Sequence, residues 1–145
     1  MSELKLPACI DRALDTEEWA KLDEERVARV IAPDAPYMFY LMRRDSIERE
    51  TKALVEIGRS PDAELFSLSS SEVGGTVPCT LDVVDVDRAI LFGGMHGRED
   101  LLVLDYRVEQ GPRVLYFDDS PGSTGWRLIA TTAEEFLEKM GIPYS

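Results

Sequence analysis

The chain has 145 residues, of which 16 are basic and 28 acidic, so its net charge is −12 at pH 7. This length fits one domain with its own hydrophobic core, and the negative charge disfavours binding to nucleic acid or to an anionic membrane. No apolar stretch has signal-peptide character, and charges break each hydrophobic run short of the ~20 residues that a membrane span needs. We therefore expect a cytoplasmic protein whose charge favours a basic partner.

Two helices and a strand are predicted between residues 15 and 58. Asp15-Thr16-Glu17-Glu18 has the spacing of a capping box, and the apolar residues after it share one helical face until Pro33 ends the pattern. Tyr37 to Leu41 is dense in aromatic and large apolar residues, which suit a largely buried strand. A second helix begins at the cap-like Asp45-x-x-Glu48 and ends at Gly58, a residue that readily closes a helix.

The second half of the chain has the pattern of a sheet. Residues 59–78 are rich in Ser, Gly and Pro, which predicts a loop with one brief strand at Leu65-Phe66. Five apolar runs of strand length follow, separated by glycines and prolines that favour turns. These runs are Leu81–Val86, Arg88–Phe92, Leu101–Tyr106, Val114–Phe117 and Trp126–Ile129. The third and fourth are joined by too few residues for a parallel crossover, so we predict a hairpin. An antiparallel meander fits the pattern, although a mixed sheet would leave the same runs and turns.

A last helix is predicted after the sheet. Thr132-Ala133-Glu134-Glu135 has capping-box spacing, and Gly141 can close the helix. The order of elements predicts an α+β fold, mainly an antiparallel sheet flanked by helices. The predicted organisation is a single domain over 1–145, with N-terminal helices at about 15–58, the sheet at about 64–130 and the C-terminal helix at about 132–141.

Nucleophiles and bases are scarce in this chain. Cys9 and Cys79 stand far apart in neither a zinc-binding nor a disulfide-framework spacing, so both are predicted to be reduced thiols. The single histidine, His96, lies in the glycine-rich turn Gly93–Gly97, and no motif supplies it with a nucleophile. A small hydrolase that uses His96 remains a third, minor hypothesis.

No catalytic, cofactor-binding or metal-binding residues are predicted. Gly93–Gly97 lacks the Lys-Ser/Thr of a phosphate-binding loop, and Asp82, Asp85 and Asp87 lack the glycine and the bidentate glutamate of a calcium loop. Pairs of carboxylates are expected by chance in so acidic a chain; the candidates are Glu99, Asp100, Asp105, Asp118 and Asp119. The aromatic residues of the predicted elements are interpreted as core; they are Phe39, Tyr40, Tyr116, Phe117, Trp126 and Phe136.

Part of the second half resembles a known family. The segments that carry the resemblance are Leu101–Tyr106, Pro112–Asp119, Trp126–Ile129 and Thr132–Leu137. They are similar to the C-terminal half of the SUKH superfamily, which includes fungal cell-wall assembly regulators and bacterial toxin-immunity proteins. Asp45–Gly58 also looks like the mid-chain helix of that family, whereas the first half of the chain lacks the family's usual opening.

The resemblance implies an α+β fold that binds another protein and carries no catalytic residues. The leading hypothesis is a non-enzymatic protein-binding module of this type, with an immunity protein against a basic, nuclease-like toxin as its specific form. The alternative is a regulatory or scaffold protein with a housekeeping partner. The sequence leaves the oligomeric state open. The predicted contact residues are Asp105, Tyr106, Asp118, Asp119 and Trp126. Asp105 and Tyr106 are equally suited to fixing the hairpin, and Trp126 is equally suited to the core.

Overall fold

The computed structural model describes residues 4–31, 36–58, 88–97, 100–107, 111–118 and 125–144. Helices and strands in these ranges form an α+β fold around a five-stranded antiparallel sheet, as predicted. The helices are α1 (Ala8–Ala13), α2 (Glu17–Ala20), α3 (Glu24–Val30), α4 (Arg44–Gly58) and α5 (Ala133–Met140). The strands are β1 (Phe39–Leu41), β2 (Ala89–Met95), β3 (Leu101–Asp105), β4 (Arg113–Asp118) and β5 (Gly125–Ala130).

The sheet is an antiparallel meander. Its strands lie in the order β1-β2-β3-β4-β5, and each of these pairs of neighbours is antiparallel. The predicted hairpin is confirmed, because β3 pairs with β4 from Leu101↔Phe117 to Asp105↔Arg113. The short connections between consecutive strands from β2 to β5 favour antiparallel pairing, since a parallel pair would need a long crossover. Strand β1 is joined to β2 through a long segment that includes α4.

The register determines which residues meet at each end of the sheet. One row of partners runs across all five strands, from Tyr40 through Gly94, Leu101 and Phe117 to Trp126. Asp105 lies at the opposite end of β3, beside Arg113. Residues predicted to act together, such as Asp105 and Trp126, are therefore separated by the length of a strand.

The N-terminal region differs from the single helix predicted after Asp15. Two short helices replace it, because two side chains cap separate starts: Thr16 accepts from the Trp19 amide at 3.3 Å, and Asp23 accepts from the Glu25 amide at 3.0 Å. An N-cap that bonds its own chain competes with continuation of the preceding helix. Helix α1, which precedes Asp15, was not predicted.

The predicted strand at Tyr37–Leu41 is shorter in the structure. The 3₁₀ turn Pro36–Met38 takes up its first residues, and only Phe39–Leu41 pairs with β2. Proline fixes its own φ near the helical value and lacks an amide hydrogen, which favours a turn over a paired strand at this point.

Helices α4 and α5 were predicted correctly. In α4, Ile47 and Leu54 are buried, and the Thr51 hydroxyl accepts from the amide of Leu91 at 3.0 Å, which ties the helix to β2. In α5, the Thr132 hydroxyl accepts from the Glu135 amide at 3.0 Å, and Gly141 closes the helix at φ 69°.

The core lies between the helices and the sheet. Phe92 of β2 packs against Trp19 of α2 and against Phe136 of α5, with ring centroids 6.2 and 5.5 Å apart. The Trp19 indole also donates to the carbonyl of Met42 at 2.8 Å, so its polar atom is satisfied in the interior. These contacts join the N-terminal helices, the sheet and the C-terminal helix into one core.

Several predictions concern residues outside the described ranges. They are the loop at 59–78 with its strand at Leu65-Phe66, the strand at Leu81–Val86, and the aspartates Asp82, Asp85 and Asp87. The single domain over 1–145 likewise stays a prediction.

Candidate protein-interaction surface

Asp105, a predicted contact residue, is buried at the end of β3 with 0% of its side chain exposed. Its two oxygens accept from two arginines: Oδ1 lies 2.8 Å from Nε of Arg107, and Oδ2 lies 2.8 Å from Nη2 of Arg113. Only 19% and 16% of those arginine side chains are exposed. Asp105 therefore holds the β3–β4 hairpin together and offers no surface to a partner.

Tyr106, the next predicted contact residue, is half-buried beside Asp105. Its hydroxyl donates to the carbonyl of Lys5 at 2.6 Å, and its amide donates to the carbonyl of Arg88 at 2.9 Å. Burial raises the pKa of the Tyr106 phenol well above its usual range, and the neighbouring Cys9 adds to that shift. Tyr106 therefore anchors the segment that precedes α1.

Asp118 and Trp126 lie at the other end of the sheet. Only 15% of the Asp118 side chain is exposed, and its Oδ2 is 3.5 Å from Nη2 of Arg127. Trp126 is fully buried and packs on Phe117 with ring centroids 5.2 Å apart. Asp118 therefore presents little surface to a partner, and Trp126 belongs to the core, as one of its two interpretations predicted. Asp119 lies outside the described ranges.

Asp100 belongs to the interior. Its carboxylate accepts a hydrogen bond from the Tyr116 hydroxyl, and both residues are buried. The guanidinium of Arg127 lies 5.4 Å from the centroid of the Tyr116 ring, close enough for a cation–π contact. This polar set links the segment before β3 to β4 and β5.

An exposed aromatic group lies at the corner where β1 meets β2. The His96 ring stacks on the Tyr40 ring with centroids 4.5 Å apart, and the His96 amide donates to the Met38 carbonyl at 3.0 Å. Tyr37, in the turn before β1, is 70% exposed. We call Tyr37, Tyr40 and His96 the aromatic corner.

Gly94 lets the Tyr40 ring lie across β2. A Cβ atom at Gly94 would be 3.1 Å from the Tyr40 hydroxyl oxygen and 3.0 Å from the Asp100 carbonyl oxygen, so a larger residue would not fit without a shift. Burial raises the pKa of the Tyr40 phenol, and the charge of Glu50 on α4 raises it further. The corner is therefore held in a defined position with a carboxylate beside it.

Carboxylates border the aromatic corner on its other side. Tyr37 and Tyr40 line a cleft of about 250 Å³ together with Lys21 and Glu24. Residues 17–26 carry five exposed carboxylates against two cations. The carboxylates are Glu17, Glu18, Asp23, Glu24 and Glu25. Four of them stand in the first turns of α2 and α3, where they also favour the positive ends of those helices.

This surface has only a weak signal in the sequence. Tyr40 was interpreted as core together with five other aromatic residues, which the structure confirms for Phe39, Tyr116, Phe117, Trp126 and Phe136. Tyr40 is instead half-buried. The position of Tyr37 directly after a proline is the one local feature that could have indicated an exposed turn.

Metal ligands and membrane spans were also sought in the described ranges. There, no three histidine, cysteine, aspartate or glutamate side chains lie close enough together to hold a metal ion. No helix in those ranges is both long and apolar enough to cross a membrane.

Comparison with known proteins adds no relative. No model of a known protein family matches the chain, and neither a curated protein nor a solved structure is similar enough to count as a match.

Proposed function

We propose that the chain is a non-enzymatic protein-binding module of the cytoplasm, that its partner is basic, and that the aromatic corner is its contact surface. The observation that carries the proposal is the exposure of Tyr37, 70% of whose area faces solvent beside the carboxylates of α2 and α3. Tyrosines supply a large part of the binding energy at many interfaces, because an aromatic ring buries much area and loses little conformational freedom.

Charge supports the choice of a basic partner. The whole chain carries a net charge of −12, and residues 17–26, beside the aromatic corner, are also negative because they contain five exposed carboxylates. Complementary charge speeds the encounter of two proteins and disfavours partners of the wrong sign. The resemblance to SUKH proteins points in the same direction, since a nuclease-like toxin is basic and its immunity protein acts by binding it. A regulatory or scaffold role differs only in the identity of the partner.

The experiment is a tagged pull-down from the native cell lysate at low and at high salt, followed by mass spectrometry. We expect a basic protein that is retained at low salt and released at high salt, because screening weakens attraction between exposed charges. Its identity then distinguishes a toxin from a housekeeping partner.

Variants make this test specific to the aromatic corner. Tyr37→Ser should weaken binding of the purified partner about 30-fold, the effect of losing about 2 kcal/mol at an aromatic anchor. The double variant Glu24→Gln, Glu25→Gln should mainly slow association. The matched control Glu48→Gln, Glu56→Gln removes the same charge from the exposed side of α4 and should bind as the wild type does.

Two results would contradict the proposal. One is that the Tyr37→Ser variant retains the partner as well as the wild type does, which would place the interface elsewhere. The other is an empty lane at both salt concentrations, after which a substrate screen around His96 becomes the next experiment.

A further inference from the structure

A cleft of about 460 Å³ between α3, β5 and α5 collects positive charge in this acidic protein. Four cationic side chains line it, together with one carboxylate, Glu138, so the lining carries +3. The cations are Arg26, Arg29, Arg127 and Lys139, and we call this site the basic cleft. Three of the four belong to helices and the fourth to the edge strand β5.

Backbone carbonyls hold three of these cations in place. Lys139 Nζ donates to the carbonyl of Ile129 at 2.8 Å, Arg26 Nη1 donates to the carbonyl of Lys139 at 3.2 Å, and Arg127 donates to the carbonyl of Ile31. A carbonyl is a dipole without net charge, so these bonds fix the position of each cation and leave its charge available.

Carboxylates compensate the charge only in part. Asp23 lies 3.7 Å from Arg26 and Asp118 lies 3.5 Å from Arg127, both longer than a charge-assisted hydrogen bond. Glu138 already accepts from the Tyr144 hydroxyl at 2.7 Å. Arg29 is exposed, and within the described part of the chain it has no ion pair or hydrogen bond.

Gly141 determines where Arg26 lies. A Cβ atom at Gly141 would be 2.8 Å from Cζ of Arg26, so a larger residue there would displace the guanidinium from its present position. The same glycine has φ 69°, which closes α5. The bond to the Lys139 carbonyl and the packing on Gly141 restrict the Arg26 side chain, and such restriction lowers the entropic cost of binding.

We propose that the basic cleft binds a phosphoryl group, carried by a small molecule or by a phosphorylated peptide. Guanidinium groups match the oxygens of phosphate and carboxylate in geometry. A phosphoryl monoester has three acceptor oxygens and carries about −1.5 to −2 at pH 7, whereas a carboxylate has two oxygens and one charge. The phosphoryl group can therefore bond to more of the four cationic side chains at once. This site shares no residue with the aromatic corner and does not depend on the proposed function.

Isothermal titration calorimetry of the full chain tests the inference with three probes: inorganic phosphate, a phosphoserine peptide and the same peptide without phosphate. We expect saturable binding of at least one phosphorylated probe and none of the unmodified peptide. Equal binding of inorganic phosphate and the phosphopeptide indicates a small-molecule ligand, and tighter binding of the phosphopeptide indicates a peptide.

Arg29→Gln should weaken that binding about tenfold, the effect of losing one charge-assisted hydrogen bond worth about 1.4 kcal/mol. Arg29 is exposed, so the variant should fold, and circular dichroism checks this. The matched control Arg49→Gln removes an exposed arginine from α4 and should bind within about twofold of the wild type. Absence of saturable binding by both phosphorylated probes, or an equal loss in the two variants, would overturn the proposal.

Discussion

Replacing Asp105 with Asn should destabilise the fold strongly, although it keeps the shape of the side chain. Asp105 is fully buried and is the carboxylate between Arg107 and Arg113, at 2.8 Å from each. Asparagine has no charge, and its amide group is a donor facing other donors. The variant would therefore leave two mostly buried guanidinium groups without this counter-charge.

The expected loss in the free energy of unfolding is about 3 kcal/mol. Breaking a buried ion pair costs about 3–5 kcal/mol, and the residual exposure of the two arginines, 19% and 16%, places this case at the lower end. With a urea dependence of about 2 kcal/mol per molar for a domain of this size, the midpoint should fall by roughly 1.5 M.

Urea unfolding followed by tryptophan fluorescence measures the shift. Asp11→Asn is the matched control, because Asp11 also pairs with an arginine, Arg44, but both side chains are about half-exposed, at 56% and 50%. Its midpoint should move far less, since exposed ion pairs contribute little. If Asp105→Asn unfolds at the wild-type midpoint, the structural role of Asp105 is refuted and a contact role becomes open again.

Two further predictions concern stability. Gly94→Ala should cost about 2 kcal/mol, because the new Cβ would lie 3.0 Å from the Asp100 carbonyl oxygen, and an unchanged urea midpoint would contradict this. Burial raises the pKa of the Cys9 thiol and of the Tyr106 phenol above their usual 9.0 and 10.0. The unfolded chain therefore loses these two protons at a lower pH than the folded chain does. The contribution to stability that is present below about pH 9 is lost as pH rises through the folded-state pKa values. Between about pH 8 and about pH 11, the free energy of unfolding of the double variant Cys9→Ala, Tyr106→Phe should fall less than that of the wild type. An equal fall in the two proteins would show that these two groups do not cause the pH dependence.

The local sequence was sufficient to predict a helix where a capping residue, a periodic apolar face and a residue that ends the helix lie within a few turns of each other. Helix α5 has all three, in Thr132, its buried face and Gly141. The β3–β4 hairpin was equally predictable, since a short connection between two apolar runs permits only antiparallel pairing.

Local signals failed in the region before residue 31. Trp19 and Val27 are both buried, so the apolar pattern continues from α2 into α3 as if one helix contained them. The break depends on Asp23, whose side chain accepts a hydrogen bond from the Glu25 amide and so caps the start of a second helix. Helix α1 has only six residues and packs against α5, a contact distant in sequence that no local pattern reports.

The exposure of the candidate contact residues was harder to predict than the fold, because exposure depends on partners that meet only in three dimensions. The sequence left Asp105 equally suited to a surface contact and to fixing the hairpin, and the position of Arg113 opposite it decides for the hairpin. Tyr37 looked like part of a buried strand until Pro36–Met38 formed a turn that left it exposed. In both cases the residue type was compatible with either environment, and tertiary structure decided between them.

The charges of the chain are divided between an acidic surface and a basic one, which the net charge of −12 does not show. At the aromatic corner, the local carboxylates and the charge of the whole chain both attract a basic partner, so added salt weakens two contributions of the same sign. At the basic cleft, the four cationic side chains attract a phosphoryl group while the negative charge of the whole chain repels it. Salt screens the attraction and the repulsion together, and the repulsion acts over the longer distance. Binding at the basic cleft should therefore depend less on ionic strength than binding at the aromatic corner, even though both rest on charge.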